Sequence, residues 1–359
     1  MQDKDATAFF FHGSWREFAP IAFTNLLLTI VTLGFYRFWA TTRERKYLWG
    51  QTHFIDDRLE WTGTGKELFV GFLLVLVLFG VPLVILNFGV QALIFQGHQG
   101  VAMALGASAF LFIFYLVGLA RFRALRYRLS RTYWHGIRGG SDNQGFSYGL
   151  SYMWKTFVGY LPIGLLIPWS MMSLWNERWN AMSFGPHQFQ AAGDFAATMK
   201  RFLLFYLMPI IIAVAIGVAT AIFIPVIQSS VGGGGEPPAS FLLMMFAFVL
   251  SFYLLLGLVA LAFYAKYFRE AVGGLSLSTL DFHFTATTKQ WLKLFLGDIA
   301  LVICTLGIGY IFLSYRHWKF FITHMEATGE VILDELTQSE TRMSKHGEGL
   351  LDALDMGAI

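Results

Sequence analysis

The sequence predicts an all-α membrane protein, a polytopic helical bundle with internal repeats, and three observations carry that prediction. Only 14% of the 359 residues are charged while 56% are hydrophobic, whereas soluble domains carry about a quarter charged residues. The missing charge is concentrated in blocks as long as bilayer spans, which need about 20 apolar residues each. A pattern that opens Thr32-Leu33-Gly34 and closes on Arg43 recurs without a gap from Thr305 to Arg316. Composition alone does not set such a register.

Seven apolar segments cover residues 18–39, 69–95, 101–120, 153–174, 202–227, 241–264 and 294–315. The second, third, fifth and sixth are continuous and read as spanning helices. Pro82, Pro209 and Pro225 are tolerated there where neighbouring groups satisfy the freed carbonyls. The first, fourth and seventh are broken, by Gly34, by Pro162, Gly164 and Pro168, and by Gly307 and Gly309. Each broken segment continues into a basic, aromatic stretch: RFWATTRERKYLWG, SLWNERWNAMSFG and LSYRHWKFF. Such stretches suit an amphipathic helix lying in the interface.

The middle copy of the pattern is weaker. Arg178 and Gly185 stand there with the spacing of Arg43 and Gly50. Each repeat is thus a Gly/Pro-broken helix, re-entrant in one of two topologies, then an amphipathic stretch and a pair of spanning helices. The expected units are residues 1–140, 141–280 and a truncated 281–325, followed by an acidic cytoplasmic tail, 326–359.

Lys and Arg mark cytoplasmic connections. Arg43, Arg45, Lys46, Arg58 and Lys66 follow the first segment, and six arginines from Arg121 to Arg138 follow the third. Residues 96–100 and 228–240 hold none. Seven crossings violate the rule at three connections. If the broken segments enter and leave on the cytoplasmic side, every connection agrees and four spans remain. Charge favours this second arrangement, while segment length keeps the first open. The C-terminus is cytoplasmic in both.

Several function classes find no support. A net charge of +3 offers no nucleic-acid footprint, and the single Cys304 excludes an intrachain disulfide. The first residues lack the pattern of a cleaved signal peptide. The histidines, among them His53, His135, His187, His283, His317 and His324, lack metal-ligand spacing, so no metal or cofactor is expected. Gly63-Thr64-Gly65-Lys66 fails as a phosphate loop because Glu67 and Leu68 follow, and reads as a turn into the next span. No catalytic pair emerges, and an enzyme is not expected.

Phe11-His12-Gly13, the NLLLT run from Asn25, TLGFYRFWATTRERKYLW, LEWTGTGKEL, and RTYWHGIRGG followed by Tyr148 together resemble the YjgN family of bacterial inner-membrane proteins. The resemblance extends to about residue 315. It implies a multi-pass protein of the bacterial inner membrane and brings no catalytic residue with it.

Asp298 is the foremost candidate site residue. An ionisable group in an apolar segment usually faces a partner or a wet cavity. Asp298 precedes Thr305 by the interval at which Asn25 precedes Thr32, and Tyr160 lies near that place in the middle copy. The pair Asn25 and Asp298 would bind a proton, ion or headgroup where units meet, or would bond structurally between helices. Arg43, Arg178 and Arg316 close the broken segments and suit headgroup or interface anchoring. The expected partners are membrane lipids, with anionic headgroups on the cytoplasmic face, and a second copy or another membrane protein. Two functions fit: transport of a small solute, ion or lipid, or a non-transporting membrane scaffold or assembly partner.

Overall fold

The computed structural model describes residues 8–231, 239–330 and 337–341. The Gly-rich loop at 232–238, most of the EVILDEL segment (331–336) and the acidic end from 342 lie outside the described residues.

Strand β1 (Phe9–Phe11) leads into the first broken helix, α1 (Trp15–Val31) and α2 (Arg37–Gly50). The second is α6 (Phe146–Tyr160) and α7 (Ile167–Asn180). The third is α11 (Thr288–Cys304), a 3-10 turn (Ile308–Phe312) and α12 (Leu313–Thr323). All three breaks share one backbone solution. Leu33 and Gly34 have φ of +51° and +93°, Ile163 and Gly164 +54° and +82°, and Leu306 and Gly307 +50° and +93°. Glycine accepts this left-handed region freely, and helices commonly end on it. The preceding threonine bridges two of the breaks. Thr32 Oγ1 donates to Leu28 O and accepts from Tyr36 N, and Thr305 Oγ1 donates to Leu301 O and accepts from Gly309 N. That bridge is what the Thr-Leu-Gly pattern encodes. The chain reverses there, and the two arms of each broken helix lie side by side as a helical hairpin.

Leu33, Ile163 and Leu306 stand at the hairpin tips, 91%, 89% and 95% exposed. Bulky residues in the left-handed region cost about 1–2 kcal/mol each. Their exposure leaves a bulky apolar side chain standing out from each tip, with no packing inside the protein to offset that strain.

Between the hairpins run four long rods. The first joins α3 (Gly65–Val75), a π-helical stretch (Leu76–Gly80) and α4 (Val81–Phe95). Pro82 lacks an N–H and crowds the preceding turn, which accounts for the widened helix just before it. The others are α5 (Gln99–Arg131), α8 (Ala196–Phe202) with α9 (Leu204–Val231), and α10 (Ala239–Gly273). Among the described residues, three stretches are long and apolar enough to cross a membrane: Gln99–Arg131, Ala196–Ala221 and Met245–Gly273. At most 11% of each apolar window is buried inside the protein. A helix apolar all round needs lipid on the remaining faces.

The all-α expectation is corrected by a β-sheet. Eight antiparallel strands run β11-β10-β9-β8-β7-β6-β5-β4. In chain order they are β4 (Glu60–Trp61), β5 (Thr132–Trp134), β6 (Ile137–Gly140), β7 (Ser183–Phe184), β8 (His187–Ala191), β9 (Leu275–Leu277), β10 (Leu280–Phe284) and β11 (Met325–Thr328). A second sheet joins β1 to β2 (Thr52–Phe54) and β3 (Asp57–Arg58). Four hairpins turn through two-residue loops whose first residue is left-handed: Ile55, His135, Gly185 and Ser278. Loops of this kind follow the natural twist of paired strands.

The strands hold the rods together at one end. Rods one and two start and finish at β4 and β5, and rods three and four at β8 and β9. The sheet curls around an apolar cavity of about 180 Å³ walled by Phe9, Phe54, Trp134, Phe189 and Phe282. The string once compared with a phosphate loop is a helix cap. Thr64 Oγ1 accepts from Glu67 N, and Glu67 Oε2 accepts from Thr64 N, the reciprocal pair of a capping box.

Residues 337–341 lie against this end of the molecule. The buried Arg138 guanidinium donates to Ser339 O and to the backbone and hydroxyl of Thr341. Burial pushes its pKa below the ordinary arginine value. In the neighbouring turn, the hydrogen bond between His135 and Asp56 holds the Asp56 carboxyl below its usual range.

Candidate functional site

Four of the five candidate polar residues, Asn25, Arg43, Asp298 and Arg316, are bonded inside their own hairpins. Asp298, 6% exposed, accepts from Arg316 Nε at 2.6 Å through Oδ1 and meets His317 Nε2 at 2.6 Å through Oδ2. Asn25 accepts from Arg43 Nη1 at 3.4 Å and donates to Ala40 O at 3.2 Å. Arg43 also donates to the Tyr36 hydroxyl. Among the described residues no hydrogen bond joins Asn25 to Asp298.

The second hairpin carries the same bridge with different residues. Lys155 donates to Ser173 Oγ at 2.7 Å and to Glu177 Oε2 at 2.6 Å. Asn25–Arg43, Lys155–Ser173 and Asp298–Arg316 are all 18 residues apart, and each first member lies eight residues before the left-handed pair. The corresponding polar residue is therefore Lys155, where the sequence reading pointed to Tyr160, and Ser173 takes the place given to Arg178. The interval from Asn25 to Arg43, laid over Ile163-Gly164, finds both.

Arg178 sits elsewhere. Positions twelve and fifteen residues after the first member of each left-handed pair face a shared chamber of about 410 Å³: Arg45 and Leu48 from α2, Trp175 and Arg178 from α7, Trp318 and Phe321 from α12. Residues three apart share a helix face, so the three arms present one common face inward. Trp49 stacks on Trp318 at 4.0 Å between ring centres. Ser314 Oγ donates to Glu44 Oε2 at 2.9 Å, tying the third hairpin to the first. The last turns of α5 and α10 and strands β9 to β11 complete the walls. Sequence reasoning missed this chamber because its lining comes from stretches that read as interfacial helices.

A second cavity, about 360 Å³, lies between the α6–α7 hairpin and α5 and α10. Trp175, Arg178 and Phe268 line both cavities. Tyr148, Tyr152, Tyr160 and Tyr264 line the cleft, which reaches Gly159 and Ile167 beside the exposed tip residue Ile163. Arg178 is 6% exposed, packs over the Trp175 ring at 5.5 Å, and has no hydrogen-bond or ion-pair partner among the described residues. Its neighbour Glu177 is held by Lys155. Among the described residues no group of acidic, His and Cys side chains is placed to hold a metal ion.

Lipid-facing rods, apolar hairpin tips and a sheet gathered at one end define a multi-pass helical membrane protein. The chain matches, over residues 6–353, the family described as bacterial protein of unknown function (DUF898), and it belongs to that family. It is similar to the inner membrane protein YjgN of Salmonella typhimurium, 24% identical over 92% of this chain and 90% of the relative. It is also similar to the inner membrane protein YjgN of Escherichia coli K12, 25% identical over 57% of each chain. The resemblance read from the sequence is confirmed. These relatives and the apolar rods support a place in the bacterial inner membrane. No solved structure matches the chain.

Proposed function

We propose that the protein handles a membrane-soluble amphiphile, moving it between the bilayer and the three-armed chamber. The carrying observation is the shared wall. The cleft ends among exposed residues of the second hairpin, the chamber lies where the arms meet the sheet, and Trp175, Arg178 and Phe268 line both. A water-borne solute needs no entrance beside a hairpin tip. An amphiphile does, with its head in the tyrosine-lined cleft and its tail among the rods.

This reading takes the molecule as two units, 1–140 and 141–280, and a truncated third, 281–325. Four rods cross the membrane, and three hairpins dip in from the cytoplasmic side without crossing. The sheet, the acidic tail and the C-terminus are cytoplasmic, where the hairpin arginines Arg43, Arg178 and Arg316 meet anionic lipid. The recurrent break geometry, the 18-residue bridges and the positive-inside rule support it. Single cysteines in a Cys304→Ser background test the topology. Ser229→Cys should react with an impermeant maleimide on intact cells, and Gln188→Cys and Asp281→Cys only after permeabilisation. External labelling of Gln188→Cys or Asp281→Cys would instead mean that the hairpins cross.

Movement is tested in vesicles carrying a fluorescent phospholipid in both leaflets. Reconstituted protein should expose the inner-leaflet fraction to dithionite faster than in empty vesicles. An identical rate would leave a protein that holds its ligand without moving it, the scaffold reading.

A further inference from the structure

We infer that Arg178 is the ligand for the phosphate group of an anionic amphiphile, bound at the junction of the cleft and the chamber. The inference deepens the proposed handling of an amphiphile by naming the chemistry of its head, and it rests on the shared wall described above.

A guanidinium taken out of water is costly unless it is paired and hydrogen-bonded. Arg178 is nine-tenths buried with no such partner among the described residues, and Glu177 beside it is already held by Lys155. The surroundings call for an anion. No Asp or Glu lines the cleft, and the single carboxylate lining the chamber, Glu44, accepts from Asn25 and Ser314. Arg121 stands on another wall of the cleft with its guanidinium 5.2 Å from the Tyr152 ring. The hydroxyls of Tyr148, Tyr152 and Tyr264 have no hydrogen-bond partner among the described residues. Two guanidinium forks and three hydroxyls supply more donors than the two oxygens of a carboxylate can use, and suit the several oxygens of a phosphate. Trp175 and Phe268 offer an apolar wall for the rest of the molecule.

The test uses the full-length protein in detergent, titrated separately with phosphatidylglycerol, phosphatidylcholine and inorganic phosphate, with bound ligand counted by native mass spectrometry. Phosphatidylglycerol should bind the wild type, and Arg178→Gln should weaken it by about 10- to 100-fold, the loss of charge-assisted hydrogen bonds. Arg58→Gln, an exposed arginine of the sheet, should leave binding unchanged. Inorganic phosphate binding with the same dependence on Arg178, and no lipid binding, would keep the phosphate site and assign it to a water-borne ester.

Equal binding of phosphatidylglycerol by wild type and Arg178→Gln would overturn the proposal, as would binding of neither phosphate source. A second readout separates a merely structural role. An uncompensated buried charge does not stabilise the empty protein, so ligand-free Arg178→Gln should melt at or above the wild-type temperature. A drop in melting temperature with binding intact would make Arg178 a packing residue and overturn the site. Lipid binding without accelerated exchange between leaflets would count against transport alone, and faster exchange with Arg178-independent binding against this inference alone.

Discussion

Glu67→Ala should lower the stability of the fold by about 2–3 kcal/mol, below the cost of stripping one partner from a fully buried ion pair because the Glu67 side chain is 27% exposed. Glu67 receives two bonds from Arg131, Nη2 to Oε1 at 2.8 Å and Nε to Oε2 at 3.1 Å, and a third from the Tyr127 hydroxyl at 3.1 Å. It also closes the Thr64 cap. The Arg131 side chain is only 7% exposed and stands where α5 passes into β5. Its pairing therefore ties the start of the first rod to the end of the second and to the sheet. Glu67→Gln keeps the shape and one acceptor and should cost about half as much. Thr64→Ala removes only the cap, about 1 kcal/mol. Melting of the detergent-solubilised protein is read as a rank order, because such unfolding is commonly irreversible. The order should be wild type, Thr64→Ala, Glu67→Gln, Glu67→Ala. A Glu67→Ala protein that melts with the wild type would show that the pair carries none of this load.

The rods, the three breaks and the basic stretches after them were legible because a membrane imposes its thickness on composition and glycine marks the left-handed turns. The sheet was not. Its strands are two to five residues long, too short for an alternating pattern to stand out, and sit in the connections between the apolar segments. RTYWHGIRGG was visible as a pattern, yet only the left-handed φ of both His135 and Gly136 makes it a tight hairpin. The equivalence of Asn25 and Asp298 could be read because both are followed by Thr-Leu-Gly. In the middle hairpin Pro162 replaces that threonine, so the register was hung on Arg178 and missed Lys155 and Ser173. Sequence treated Arg43, Arg178 and Arg316 alike. Geometry separates them, since Arg43 and Arg316 staple hairpins while Arg178 lies between two cavities.

The staples make their own prediction at Asp298. Asp298→Ala leaves Arg316 and His317 facing an empty place, and among the described residues Arg316 keeps only its bond to Leu294 O. With Asp298 nearly buried and Arg316 one-third exposed, the loss should be about 2–3 kcal/mol, below that of a fully buried pair. Asp298→Asn should be much milder, about 1 kcal/mol, the size of one ordinary hydrogen bond. The protein supplies the precedent, because its first hairpin already closes with Asn25 accepting from an arginine at the same interval. If the bridges act as staples, Arg316→Ala combined with Asp298→Ala should cost less than the sum of the single changes, since neither leaves a charge behind. Melting of the four proteins, with phosphatidylglycerol binding measured alongside, distinguishes the roles. Strictly additive melting losses would show that the two side chains act independently. Lost lipid binding at intact stability in Asp298→Asn would move the ligand from the Arg178 junction to the third hairpin.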